Sequence, residues 1–459
     1  SYNYDDKYSL EVSARYDGSM KFPTDSRWGF FPSASGAWNI DRESFMQGIV
    51  SSSFLTALKL RGSYGRLGFD GAGNFQFLPT YSFRNNFIFE GNSLLRTTRN
   101  DGFPNPFITW EKMDIINLGL EASFWEGILE GSFDIYQRNR FDVLGRRTLE
   151  TPPVVGAVLP LVNFQEYENR GVELTLTHNN KIKNVDYSIS ANIGVNEEII
   201  RNIDEPDFVN KEFERRQAAI GYRTRTGNRG GAQLFYFQTD GLFTSQDEID
   251  NWAIIDGNGN RSIMIGDARV VDRNGDGRIT DADRYIATSG TNPRMQFGFN
   301  TRIEWKGLEI VTFWQGASLF AYNIRWGEMG TPFPSDGVGL QYHLTEAYIP
   351  ANEYGLPTVS AQQARYPRAA GNQNANYDLF LIDGTYLRLK QLQIGYSLPQ
   401  DIVSKLRMQR LKLYAGGTNL LTFSALDWLD PEIDEQPAQF FGNYHPQTRV
   451  INFGVEIGF

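Results

Sequence analysis

Apolar and polar residues alternate along most of this chain with a period of two. Ile451, Phe453, Val455, Ile457 and Phe459 fall on one face of an extended strand, and Asn452, Gly454, Glu456 and Gly458 on the other. Near the start, Tyr8, Leu10, Val12, Ala14 and Tyr16 oppose Ser9, Glu11, Ser13 and Arg15. Leu58, Leu60 and Tyr64 oppose Lys59, Arg61 and Ser63, and Ile116, Leu118 and Leu120 oppose Asn117, Gly119 and Glu121. The rhythm returns around Phe133, Val172, Tyr187 and Phe297. Successive side chains of a strand point to opposite faces, so this period predicts strands. A half-buried soluble sheet and a membrane barrel both produce it. The number and length of the segments favour the barrel, because soluble strands average only about 5–6 residues. One face then meets lipid and the other a wet lumen.

One strand slips phase. Leu387 and Leu389 share a face, whereas Leu392, Ile394 and Tyr396 share a face at the opposite parity. One extra residue near Lys390 and Gln391 restores a single apolar face, which predicts a β-bulge there.

The connections are unequal. Short ones fall at Trp125-Glu-Gly-Ile128, 179–184 and Lys306-Gly307, and medium ones at 39–53 and 398–407. Long ones run through 67–108, 142–164, 196–294, 317–385 and 422–448. Outer-membrane barrels have short periplasmic turns and long extracellular loops. Counting back from a periplasmic C-terminus gives roughly twelve strands. They are 7–17, 28–39, 54–66, 110–124, 129–140, 165–178, 185–195, 295–305, 308–316, 386–396, 409–421 and 449–459. Leu234-Phe-Tyr-Phe-Gln-Thr239 also reads as a strand but breaks parity, so it belongs inside the 196–294 excursion. The fold class is all-β: an antiparallel transmembrane β-barrel segment with long extracellular loops.

Composition fits this reading. The hydrophobic fraction is 41% and no run nears the roughly 18 apolar residues of a spanning helix. A barrel hides its membrane signal because only alternate strand residues are apolar. Aromatics reach 14%, as interface girdles require. There are no cysteines, hence no thiolate metal site and no disulfide framework. A net charge of −10 argues against a nucleic-acid partner. No signal peptide is present, and the chain starts almost inside a strand.

The sharpest local motif is Asp272-Arg-Asn-Gly-Asp-Gly-Arg-Ile-Thr-Asp-Ala-Asp283, which follows the calcium-loop pattern. Asp272, Asn274 and Asp276 stand at its first oxygen positions, Gly277 at the sharp turn, the Arg278 carbonyl next, and Asp283 closes. Calcium is the expected structural cofactor, pinning a long loop. The bland alternative is an Asx-rich turn without an ion.

Catalytic patterns are weak. His178, His343 and His445 are scattered, and no nucleophile elbow or Walker loop occurs. Asp430 and Glu432 form a carboxylate pair of the glycosidase type, but 54 acidic residues make chance pairs common. The expectation is a non-enzyme. Arg215, Arg216, Arg223, Arg225 and Arg229 crowd one segment. They suit a solvated loop or lumen lining, or a basic patch for an anionic substrate or lipopolysaccharide. Tyr322, Trp326, Tyr342, Tyr348, Tyr354, Tyr366 and Tyr377 punctuate 317–385. They can stack on sugars or peptides, build a protein interface, or pack the loop itself. Arg223, Arg225, Trp326 and Tyr342 are the candidate ligand or partner contacts.

A family resemblance joins these pieces. Asp17-Gly-Ser, then Arg27-Trp-Gly-Phe-Phe-Pro-Ser-Ala-Ser-Gly-Ala-Trp38, resembles a stretch of SusC/RagA-like TonB-dependent transporters. Leu58-Lys-Leu-Arg-Gly-Ser-Tyr-Gly65, Trp110-Glu111, Asn117-Leu-Gly-Leu-Glu121 and Asn169-Arg-Gly-Val-Glu173 follow in the family's order. So do Thr239-Asp-Gly-Leu-Phe243, Gly266-Asp267 with the Asp272 motif, Tyr386-Leu-Arg-Leu-Lys390, Gly395-Tyr-Ser-Leu-Pro399 and Gly417-Thr-Asn-Leu-Leu-Thr422. The resemblance spans essentially all of 1–459. It implies a Gram-negative outer-membrane importer of oligosaccharides or oligopeptides, energised by TonB and topped by a SusD-like surface lipoprotein. The family's plug, TonB box and first strands have no counterpart in this sequence. Plugged transporters have about 22 strands, which leaves about ten to an N-terminal segment. The expectation is therefore a C-terminal barrel portion whose end strands pair with strands from elsewhere, Tyr8 and Leu10 included. A passive porin, an outer-membrane β-barrel enzyme and a soluble carbohydrate-binding β-protein are the alternatives.

Overall fold

A computed structural model describes residues 1–50, 54–89, 93–100, 102–147, 158–205, 234–288, 290, 292–323, 341–351, 355, 357–368, 376–426, 430–432 and 447–459. Thirteen strands join one antiparallel sheet. Contacts divide the chain into two compact units, one mainly 1–179 and the other mainly 231–459, with the strand Val185–Asn202 divided between them. Among the described residues no helix is long and apolar enough to cross a membrane.

In the first unit sequence neighbours are sheet neighbours. The strands are Tyr2–Tyr4, Tyr8–Gly18, Trp28–Asn39, Leu55–Phe69, Glu111–Phe124, Leu129–Gly145 and Val162–Ile182. Register builds a continuous apolar face. Tyr8 opposes Trp38, Trp38 opposes Leu60, Leu60 opposes Leu120, Leu120 opposes Phe133 and Phe133 opposes Leu174. Leu118, on the same face, is 57% exposed, which suits a surface solvated by lipid.

The second unit repeats the plan with Met295–Trp305, Leu308–Ser318, Tyr386–Ser397, Arg410–Ser424 and Val450–Gly458. The tight turn at Lys306-Gly307 places both residues at positive φ, 47° and 86°, as a two-residue hairpin requires. The predicted bulge is present. Phe313 pairs with Gln391 and Trp314 with Leu389, so Lys390 is skipped. The slip returns Leu387 and Leu389 to the apolar face of Leu392 and Ile394. Phe299, Trp314 and Phe423 stack along that face, at centroid spacings of 5.3 and 6.4 Å.

All twelve expected strands are found, several longer than expected: 129–140 extends to Gly145 and 185–195 to Asn202. The thirteenth, Tyr2–Tyr4, was not expected, and it corrects the reading of the first edge. Tyr2 pairs with Leu10 and Tyr4 with Tyr8, so a hairpin of the chain itself occupies that position. Asp5 and Asp6 turn the hairpin at φ of 51° and 50°. Among the described residues, Tyr2–Tyr4 and Val450–Gly458 each have a sheet neighbour on one side only.

Both units carry smaller sheets in their long connections. Tyr81–Phe89 pairs with Ser93–Asn100 in the first unit. In the second, Leu234–Phe237 pairs with Arg284–Thr288, Thr239–Leu242 with Ala268–Val270, and Ala321–Asn323 with Leu381–Asp383. The Leu234 strand thus lies within the long excursion, as parity required.

Hydrophobic cores gather where the long connections meet strand residues such as Phe31 and Tyr386. Phe22, Phe31, Ile108 and Trp110 form the first unit's core, and the Trp110 indole donates to the Arg27 carbonyl at 2.9 Å. The second unit's core includes Phe237, Val270, Phe320, Tyr322, Tyr366, Phe380 and Tyr386.

Candidate functional site

The polar face of each unit carries an ion-pair ladder passing over a glycine. In the first unit Arg61 opposes Gly119, and Gly119 opposes Asp134. Arg61 Nη2 reaches Asp134 Oδ2 at 2.7 Å, two strands away. A Cβ on Gly119 would lie 2.7 Å from both Arg61 Cζ and Asp134 Oδ1, so only glycine leaves the path open. Arg61 Nε also meets Glu121 at 2.9 Å, and Lys59 joins Glu121 at 3.3 Å. This row borders a groove of about 510 Å³ whose lining includes Asn39, Asp41, Glu130, Ser132, Thr175 and Thr177. In the second unit Lys412 reaches Glu309 across Gly395, where a Cβ would lie 2.5 Å from Lys412 Cε. Arg302 meets the same Glu309 at 3.0 Å. The charges of these rows are paired with one another from strand to strand.

A buried charge cluster lies beside the bulge. Skipping Lys390 leaves both Arg388 and Lys390 free to meet the segment Asp430–Glu432. Arg388 Nη2 donates to Asp430 Oδ1 at 2.6 Å and Nη1 to Glu432 Oε2 at 2.5 Å, while Lys390 Nζ reaches Glu432 at 2.7 Å. The Arg388, Asp430 and Glu432 side chains are all under one-tenth exposed. Tyr386 donates to Glu432 at 3.1 Å and Tyr322 to the Pro431 carbonyl at 2.7 Å. The Gln447 amide meets Asp430 at 2.9 Å, so both ends of the last long connection converge here. Burial pushes the Asp430 carboxyl up, but hydrogen bonds from Arg388 and the backbone amides of Glu432 and Gln447 outweigh it and hold the group below the ordinary carboxylate range. Both carboxylates are taken up by the cations of the strand, Asp430 by Arg388 and Glu432 by Arg388 and Lys390. Sequence reading saw Asp430 and Glu432 only as a chance pair. The signal for their partners was the bulge, which places two cations on one face.

The aromatic residues of 317–385 prove to be core where they are described. Tyr322, Tyr366 and Tyr377 are buried, and Tyr348 packs against them. Tyr366 stacks on Phe380 at 6.0 Å with an interplanar angle of 4°. A buried pair, Arg368 Nε to Asp267 Oδ1 at 2.7 Å, fastens the same region. Trp326, Tyr354, Arg223 and Arg225 lie outside the described residues, as does the Tyr342 side chain, whose backbone falls in the short helix Gln341–Thr345.

The Asp272 loop is closed by its own hydrogen bonds. Asp272 accepts from the amides of Gly275 and Gly277, both at 2.8 Å, and Asn274 from that of Asp276 at 2.9 Å. Asp276 accepts from the Arg278 amide at 2.9 Å. Asp283 is fully buried, and its oxygens take the amides of Arg273 and Thr280 at 3.0 and 2.8 Å. Among the described residues no group of three acidic or histidine side chains gathers where it could hold a metal ion. A neighbouring loop uses the same device. Asp256 accepts from the amides of Asn258, Asn260 and Ser262, and these bonds, Ser262's first, hold its pKa down to about 2.

This architecture, a long antiparallel sheet with one lipid-type face, one ion-paired polar face and elaborate loops, is that of an outer-membrane β-barrel. The family model described as TonB dependent receptor-like, beta-barrel matches residues 1–420, and the chain belongs to that family. TonB-dependent receptor P3 of Formosa agariphila is 28% identical over 468 residues, covering 100% of this chain and 43% of the receptor. TonB-dependent receptor SusC of Bacteroides thetaiotaomicron is 25% identical over 469 residues, again covering 100% of this chain and 43% of that protein. The chain thus spans less than half the length of these relatives, and it resembles the barrel portion of SusC/RagA-like transporters. A solved structure of the RagAB peptide transporter shares the fold, with a TM-score of 0.70 at 20% identity, over 99% of this chain and 46% of that one. The RagAB peptide importer in its open-open state gives 0.72 at 20% identity, over 99% and 45%.

Proposed function

We propose that this chain is the C-terminal barrel portion of an outer-membrane active importer. A SusD-like lipoprotein captures oligosaccharides or oligopeptides at the cell surface, and TonB energises their passage along the ion-paired polar face. The observation that carries this reading is the pairing, within each unit, of an apolar face with a polar face that bears rows of ion pairs. The free sides of Tyr2–Tyr4 and Val450–Gly458 support pairing with further strands, since unpaired backbone groups in lipid cost several kcal/mol each.

Mass spectrometry of what co-purifies from native outer membranes tests this. A surface lipoprotein, a plug-bearing segment and a bound oligomer are expected together. Recovery of this chain as a closed barrel, alone and ligand-free, would point to a passive porin.

For the 272–283 loop we propose calcium, held by Asp272, Asn274, Asp276 and the Arg278 carbonyl, with Asp283 closing. The support is the register of oxygen donors. Binding requires Asp283 to exchange backbone amides for the ion. Elemental analysis of protein prepared without chelator should find calcium, and its absence would leave the loop as a hydrogen-bonded turn.

A further inference from the structure

We propose that the short helix Gln400–Lys405, with the adjoining Lys306-Gly307 turn, forms a seat for anionic phospholipid at the short-turn rim of the second unit. The proposal rests on the membrane reading of the apolar face. Trp305, Leu308, Tyr396, Leu413 and Val455 form one register row of that face. The turn and the entry to the helix lie side by side just beyond it. Ser397 donates to the Gly307 carbonyl at 2.8 Å, and Leu398 to the Leu411 carbonyl at 2.9 Å.

The helix itself is two-sided. Val403 is 1% exposed, whereas Ile402 and Leu406, at i and i+4, are 46% and 51% exposed. An exposed apolar pair on a short helix at the end of a lipid-facing row continues that surface into the headgroup boundary. Charge identifies the lipid. Lys306, Lys405 and Arg407 are exposed and form no ion pair with any described residue, Lys306 resting 5.8 Å from the Trp305 ring. Arg410, by contrast, is paired with Glu456 at 3.0 Å. Within 305–308 and 397–411 the acidic residue is Asp401, in the first turn of the helix, and it forms no ion pair with any described residue. Three exposed cations on long stems, without an ion pair among the described residues, thus stand in the two segments that carry this apolar pair and the end of the lipid-facing row. Lys and Arg bury their stems in such a surface and hold their heads at phosphate level. In barrels of this class the short-turn end faces the periplasm, so the leaflet concerned is phospholipid.

The test uses the protein in the assembly in which it is expressed, placed in nanodiscs of mixed phosphatidylethanolamine and phosphatidylglycerol, with retained lipid counted by native mass spectrometry. The wild type should retain phosphatidylglycerol preferentially. The triple variant Lys306→Gln, Lys405→Gln, Arg407→Gln should insert equally well but lose that preference by about tenfold. Arg410→Gln, which removes a cation already paired, should leave it unchanged. Insertion with no preference in the wild type, or an equal fall in both variants, overturns the seat alone. Failure to insert into any bilayer overturns the membrane reading and the seat with it.

Discussion

Arg388 donates to Glu432 at 2.5 Å across 44 residues of chain, and through its other terminal nitrogen to Asp430 at 2.6 Å. This fork closes the base of the last long connection onto the strand Tyr386–Ser397. Removing one partner of a buried pair leaves uncompensated charge, at a cost of about 3–5 kcal/mol. Arg388→Gln should therefore open the base of the connection, read as faster proteolysis around Asp430 and a lower unfolding temperature. Lys390→Gln, at a more exposed site, should cost under about 1 kcal/mol. Equal effects would mean that Arg388 does not hold the segment.

The bulge makes a sharper prediction. Deleting Lys390 removes the extra residue, and Leu387, Leu389, Leu392, Ile394 and Tyr396 then alternate regularly with Arg388, Gln391, Gln393 and Gly395, all on one apolar face. The deletion should therefore still assemble, seen as a retained heat-modifiable folded band, as should Lys390→Ala. Loss of the folded band in the deletion variant alone would show that the bulge does more than restore phase.

Strand positions, the bulge and the placement of the Leu234 strand were legible in the sequence, because a period of two fixes which residues share a face. The charge ladders were not. Arg61 and Asp134 are separated by 73 residues, and only register brings them onto one row. Gly119 looked like an ordinary polar-face position, and its role appears only when the side chains crossing it are placed. The aromatic residues of the 317–385 loop were read evenly between ligand contact and packing, since composition cannot say which way a ring points. The Tyr2–Tyr4 hairpin is too short to show a period.

Gly119→Val tests the ladder directly. The new side chain meets Arg61 and Asp134 well inside contact distance, and overpacking costs about 1–3 kcal/mol. Equilibrium unfolding in lipid vesicles should show that loss, whereas Gly257→Ala, in a loop with open space around it, should act only through its positive φ of 68°. An unchanged Gly119 variant would mean that Arg61 takes another path.

The Asp256 loop has a defined acid limit. Its folded pKa, about 2, lies below the ordinary value of roughly 3.9. A depressed carboxylate contributes stability that is full above the unfolded pKa and is lost as pH falls through the folded one. Pepsin cleavage within 256–262 should therefore stay slow at pH 4 and accelerate toward pH 2. Asp256→Asn should be cleaved readily at both. Cleavage of the wild type already rapid at pH 4 would contradict the assignment.

The central claim is energised import through the passage that this chain's polar face lines. Uptake of labelled oligosaccharides and oligopeptides by intact cells, with the proton-motive force present or collapsed by a protonophore, measures it most directly. Active import predicts accumulation of one oligomer class that requires this gene and stops when the force is collapsed. Gene-dependent uptake that persists at the same rate after collapse would show a passive pore.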